Sequence, residues 1–160
     1  MHTRYVGVIG GADCDDAVSR IAREVGRLIA KEGWILVCGG MGGVMEAACR
    51  GAREEGGVTL GILPGMRREE GNAHLSYALP TGLGHIRNTL VVSGSDALIA
   101  LGGSHGTLSE TAFAGINRTP VVAISGVSLP EPAGIRLYRK TARTPKEAVQ
   151  AVKKLLEAFD

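Results

Sequence analysis

The sequence predicts a doubly wound α/β fold of Rossmann-like type, a single domain with one parallel sheet and helices on both faces. Three observations carry that prediction. Short β-branched runs alternate with stretches of helical periodicity, the runs are apolar nearly end to end as strands covered on both faces are, and three of the strand-to-helix connections open on paired glycines. At 160 residues the chain is long enough to bury roughly 70% of the surface its unfolded form exposes around one core.

The elements follow in order. "YVGVI" (Tyr5 to Ile9) is a strand, and Ala17, Ile21, Val25, Leu28 and Ile29 recur at helical spacing until Gly33 ends the helix. "WILVC" (Trp34 to Cys38) is the second strand, "GGMGG" leads into a helix through Glu55, and "VTLGIL" (Val58 to Leu63) is the third strand. The stretch Pro64 to Gly84 predicts a long loop with an edge strand near "SYALP", the natural place for a lid. "HIRNTLVVSGSD" predicts a helix, "ALIAL" (Ala97 to Leu101) a strand, "GTLSETAFAGINR" a helix, "VVAIS" (Val121 to Ser125) a strand and "IRLYR" a last strand. In the closing helix Thr144 is the N-cap, Pro145 takes the first helical position and Glu147 completes a capping box, while Val149, Val152, Leu156 and Phe159 face the core.

Composition narrows the function. A formal charge of +2 without any basic block argues against extended nucleic-acid binding, and no apolar stretch approaches the ~20 residues that span a bilayer. Cys14, Cys38 and Cys49 are odd in number and show no CxxC spacing, which predicts a reducing, cytoplasmic setting and no metal site. Small anionic ligands stay open.

Paired glycines at Gly10-Gly11, Gly39-Gly40 and Gly102-Gly103 all fall on the carboxyl rim of a parallel sheet, where ligands of such folds bind. Two of the loops share a GGxxG pattern, Gly39, Gly40, Gly42 and Gly43 in one and Gly102, Gly103, Ser104, His105 and Gly106 in the other. One reading is tight turns. The other is a phosphate cradle, because glycine admits close backbone approach and the first turn of a helix leaves N–H donors free for an anion. On that second reading a Cβ at Gly103 crowds the phosphate rather than the core. An NAD or FAD site is not expected, since no GxGxxG opens the first helix and no acid follows the second strand; a Walker loop is excluded by the missing GK[ST] ending.

Glu110 has two readings as well. "TLSE" is a capping-box pattern with Thr107 as N-cap, yet a carboxylate one turn inside a helix that opens on a phosphate site also reaches a sugar hydroxyl or a reacting water. His105 either touches the ligand or faces solvent. Arg87 introduces a helix with almost no other charge, whose Ile86, Leu90, Val91 and Val92 leave little polar face; this predicts a homo-oligomer, dimer or tetramer.

"IRNTLVVSGSDALIALGGSHGTLSE" with "CGGMGGVMEAACRGA" resembles the LOG (LONELY GUY) family, the cytokinin-activating phosphoribohydrolases once mislabelled lysine decarboxylases. The chain is more similar still to the neighbouring branch of molybdenum-cofactor carrier proteins and uncharacterised proteins related to the DNA-processing protein DprA. In the phosphoribohydrolases a PGGxGTxxE motif holds the nucleotide phosphate and supplies a catalytic glutamate, and an RKxxM motif supplies a catalytic arginine. Gly102, Gly103, Gly106, Thr107 and Glu110 match the first, with Leu101 in place of proline, and Arg87 matches the second. Asn88 stands where that family has lysine and Val91 where it has methionine; the "RN" form is that of the carrier-like branch. A pyridoxal-phosphate decarboxylase is discarded, because Lys31, Lys146, Lys153 and Lys154 all fall in helices and only Lys140 is left for a Schiff base.

The resemblance implies two functions. One is binding of a nucleotide or phosphorylated cofactor, as in a molybdenum-cofactor carrier, with Asn88 and the glycine loops at the ligand. The other is an N-glycosidase that releases the base of a nucleoside 5′-monophosphate, with Arg87 orienting or protonating and Glu110 stabilising the sugar cation or activating water. Neither requires a cofactor beyond the phosphorylated ligand itself.

Overall fold

The apolar runs of the sequence become the strands of one sheet. In the computed structural model, which describes residues 3–103, 105–125 and 140–158, these are β1 (Tyr5–Gly10), β2 (Ile35–Cys38), β3 (Thr59–Leu63), β4 (Tyr77–Pro80), β5 (Ala97–Leu101), β6 (Val121–Ile124) and β7 (Lys140–Ala142). Their order is β4-β3-β2-β1-β5-β6-β7 and every pairing is parallel. The helices are α1 (Asp16–Lys31), α2 (Val44–Glu54), α3 (Asn88–Ser93), α4 (His105–Asn117) and α5 (Pro145–Glu157).

Strand side chains alternate between two cores, as a period of two requires. Ala97, Ile99 and Leu101 of β5 join Val25 and Ile29 of α1, Ala48 of α2 and Val152 of α5, while Leu98 and Ala100 join Val91 and Val92 of α3 and Ala114 of α4. Helices α1 and α2 cross at van der Waals range because Gly26 and Gly51 carry no Cβ; one built on Gly26 would fall on the Ala48 carbonyl oxygen, and one on Gly51 on that of Arg23. The N-cap expected of α5 is present, Thr144 Oγ1 accepting from the Glu147 N–H at 3.2 Å, while Glu147 Oε2 reaches past the cap to accept from the Arg143 N–H at 2.8 Å instead of closing a capping box on Thr144.

Three expectations need adjustment. The helix expected over "HIRNTLVVSGSD" is a 3₁₀ turn at Gly84–Arg87 followed by the short α3, which stops at Gly94. Helix α4 begins at His105, so Thr107 is a buried residue inside it rather than its N-cap. The stretch 64–84 is not a free loop. The edge strand expected near "SYALP" is there as β4, but the stretch also holds a 3₁₀ turn at Arg68–Glu70, and the Asn72 N–H donates to the Gly40 carbonyl at 2.9 Å. Strand "IRLYR", Ser104 and Phe159 lie outside the described residues; β7 follows directly after that strand's expected position. No helix among the described residues is long and apolar enough to cross a membrane.

Candidate ligand site

Strands β1 and β5 are neighbours, but the chain leaves β1 through α1 on one face and β5 through α4 on the other. Such a switch opens a crevice at the carboxyl ends of the two strands. Here it is a cavity of about 400 Å³ walled by Gly11 to Cys14 after β1, Val44 at the start of α2, Leu101 at the end of β5 and Gly103 just beyond it.

The glycines take up different tasks. Gly103 has φ +136°, which L side chains rarely adopt, and a Cβ there would fall on the Thr107 side chain. The glycine is demanded by the turn into α4, which corrects the expectation that such a Cβ meets only the phosphate. Gly10 makes room for Val44, and Gly43, at φ +60°, lets the second loop lie on Ala12 and the Gly11 carbonyl. Gly42 faces the Ala12 carbonyl oxygen. The Val44 N–H donates to the Gly11 carbonyl at 3.0 Å, so a donor at the start of α2 is spent on joining two loops. Gly40 donates its N–H to Cys38 Sγ at 3.3 Å, and Asn72 Nδ2 holds the Met41 carbonyl at 3.0 Å. Gly102 is buried and has φ +58°, while His105 is exposed at the first residue of α4.

At the carboxyl end of β2 stands a charged cluster, on the same rim as the crevice but not among the residues that wall it. Arg87 is 8% exposed; its Nη2 donates to the Gly39 carbonyl at 3.2 Å, its Nη1 donates to Asn88 Oδ1, and its Nε has no partner. Asn88 Nδ2 in turn donates to Ser109 Oγ at 3.0 Å and to the Gly106 carbonyl at 3.4 Å, tying α3 to the first turn of α4. Glu110 is 6% exposed, and no hydrogen bond to its carboxyl is formed among the described residues. Burial pushes that carboxyl up to about 8, against the pull of Arg87. Burial also lowers the Arg87 guanidinium, with Glu110 and then Cys38 pulling it back. An arginine stays cationic through such shifts. Near neutral pH the cluster is therefore a buried positive charge beside a largely uncharged acid.

Arg87, Asn88, Gly39, Gly106 and Glu110 are thus brought together, and Gly11 and Gly103 share the cavity. Gly40, Gly42 and Gly43 serve the loops' own packing. Ala12, Asp13 and Cys14 were not read from the sequence as site residues; their place directly after Gly10-Gly11 on the same rim was the available signal.

A family model described as the SLOG cluster4 family matches residues 3–156. An uncharacterized protein of Archaeoglobus fulgidus is 41% identical over 149 residues, 93% of this chain and 94% of the relative. The cytokinin riboside 5′-monophosphate phosphoribohydrolase of Mycobacterium tuberculosis is 36% identical over 114 residues, 65% of this chain and 60% of that protein. Among solved structures, the molybdenum cofactor binding protein of Rippkaea orientalis aligns with a TM-score of 0.88 and 34% identity, covering 98% of this chain and 99% of that one. The molybdenum cofactor carrier protein of Chlamydomonas reinhardtii aligns with a TM-score of 0.83 and 35% identity over 98% and 99%.

Glu110 makes stability depend on pH. Its folded value of about 8 lies above the ordinary 4.5, so the folded chain binds more protons between them and stability falls as pH rises across that window. By pH 7 the loss amounts to about 3 kcal/mol. Glu110→Gln, neutral throughout, is expected to flatten the difference between denaturation midpoints taken at pH 5 and pH 8; an unchanged slope would show that Glu110 ionises normally.

Proposed function

The chain belongs to the SLOG cluster4 family, and on that footing we propose that it binds a small phosphorylated ligand in the β1/β5 crevice and holds it without cleaving it. The ligand class is a molybdenum cofactor or a nucleoside monophosphate. The observation that carries this reading is Arg87, a buried cation with an unpartnered Nε and no acid within ion-pair distance among the described residues. Leaving a charged donor buried and unpaired is costly, and an anionic guest removes the cost. The similarity to two molybdenum-cofactor proteins over nearly their whole lengths supports the same class.

A second reading, the phosphoribohydrolase, draws on the Mycobacterium tuberculosis relative and on Arg87 and Glu110 lying close enough for each to feel the other's charge. A carboxyl stabilises a sugar cation only when ionised, and burial works against that here. Adenosine monophosphate and molybdenum cofactor freed from a molybdoenzyme are the probes. Binding of at least one without release of base is expected, with Arg87→Ala lowering its affinity by about 10²-fold, as loss of a desolvated charge pair does. Equal affinity in the two proteins removes Arg87 from the site, and free adenine with ribose 5-phosphate establishes the hydrolase.

We also propose a homo-oligomer. Ile86 and Leu90 of the α3 region and Ile116 of α4 are apolar and exposed, at 68%, 38% and 75%. Helices α3 and α4 pack on each other, and a second copy is the occupant this reading gives their outer face. Light scattering should report at least a dimer at micromolar concentration and a monomer for Ile86→Glu; a monomeric wild type would count decisively against it.

A further inference from the structure

We propose that Cys38 and Cys49 form a reversible disulfide that switches the conformation of the second glycine loop. The two sulfurs, one at the end of β2 and one in α2, lie 3.5 Å apart with both residues fully buried. A disulfide needs about 2.05 Å, so closure asks for a local movement of roughly 1.5 Å. Neither thiol lines the cavity, yet Cys38 touches the supports of the charged cluster. Cys38 Sγ accepts the Gly40 N–H, and the next residue, Gly39, carries the carbonyl that anchors Arg87. Drawing Cys38 Sγ toward α2 takes away the acceptor that holds Gly40 and disturbs the footing of Arg87.

The two thiols differ in a way that suits the chemistry. Cys38 is the more acidic, because the contact with Cys49 and the Gly40 N–H, with Arg87 nearby, favour its thiolate against burial. Cys49 is pushed up by the same contact and by burial. Cys14, the more accessible cysteine, is held protonated by partial burial and by Asp15, Asp13 and Asp16, and is the poorer competitor.

Full burial selects a small neutral oxidant, and hydrogen peroxide is the class proposed. The Cys38 thiolate attacks one peroxide oxygen: an S–O bond forms, the O–O bond breaks, and the leaving hydroxide takes a proton to become water. The Cys49 sulfur then attacks the Cys38 sulfenic sulfur, giving up its proton to the departing oxygen. The S–S bond forms, the S–O bond breaks and a second water leaves. Two thiols are oxidised and one peroxide is reduced. A dithiol reverses the result.

The bond is independent of what the crevice binds; only its effect on affinity rests on the proposed function. The test treats the folded protein with stoichiometric hydrogen peroxide, then alkylates under denaturing conditions. Free thiols should fall from three to one, the mass should drop by two hydrogens, and a Cys38–Cys49 linked peptide should appear that dithiothreitol removes. Cys14→Ser should still form the Cys38–Cys49 linked peptide, and Cys49→Ala should yield none. Three persistent thiols, or loss confined to Cys14, overturns the proposal. Oxidation should also change amide exchange across residues 39–43 and shift adenosine monophosphate affinity by about 5-fold or more. A disulfide that leaves the exchange unchanged refutes the switch. Altered exchange in a protein that binds neither phosphorylated probe in either redox state upholds the switch and overturns the reading of the crevice.

Discussion

A guanidinium closed in at the carboxyl edge of a parallel sheet sets the terms for everything around it. Arg87 cannot shed its charge, and water reaches little of it. Its support comes from the Gly39 carbonyl and the Asn88 amide oxygen. Those two contacts require β2 to end where it does and α3 to begin where it does. They also require Ser109, at the start of α4, to hold the other end of Asn88. One acid is close enough to be felt, and it is itself so buried that proton uptake is the cheaper outcome. Among the described residues the fold thus keeps this charge without an ion-pair partner, an arrangement that pure stability would not select.

The sheet supplies the setting for that charge. With α1, α2 and α5 on one face and α3 and α4 on the other, β1 and β5 stay paired to their last residues, Gly10 and Leu101, and the chain then leaves them toward opposite faces. The loop after β2 leans on the loop after β1 through Gly43 and the Val44 N–H, and is gripped from the far side by Asn72. Three separate segments therefore hold one rim in place. The segment expected to act as a lid is one of its braces.

Strand positions, the burial of their alternating faces and the N-cap of α5 were legible in the sequence because each depends on neighbours a few residues away. Arg87 was legible as a lone charge before an apolar helix, but its burial was not, since that depends on Gly39, 48 positions earlier in the chain. The capping-box pattern at Thr107 misled for a related reason: α4 starts at His105, and Glu110 turns into the interior instead of back to the cap. Paired glycines announced the rim correctly without saying which of them face the cavity. Gly11 and Gly103 do, whereas Gly43 is set by contact with another loop. The thiol pair was invisible because Cys38 and Cys49 follow no recognised spacing and meet only when α2 folds back on β2.

Glu110 separates the two functional readings by sign. Among the described residues the titratable groups that act on Arg87 are Glu110 and Cys38, so one proton on Glu110 changes the local charge appreciably. A carrier needs the positive charge of Arg87 unopposed. As pH rises through about 8, Glu110 becomes a carboxylate, offsets Arg87 and repels a phosphate, so affinity falls over that interval. A hydrolase needs the carboxylate to stabilise a sugar cation, so its turnover rises over the same interval. Titrating binding and base release together from pH 6 to pH 9 therefore reads the role of this residue directly. Affinity that declines without base release marks a carrier, and base release that climbs with pH marks an N-glycosidase. Indifference of both to pH would mean that the acid beside Arg87 takes no part in holding or transforming the ligand.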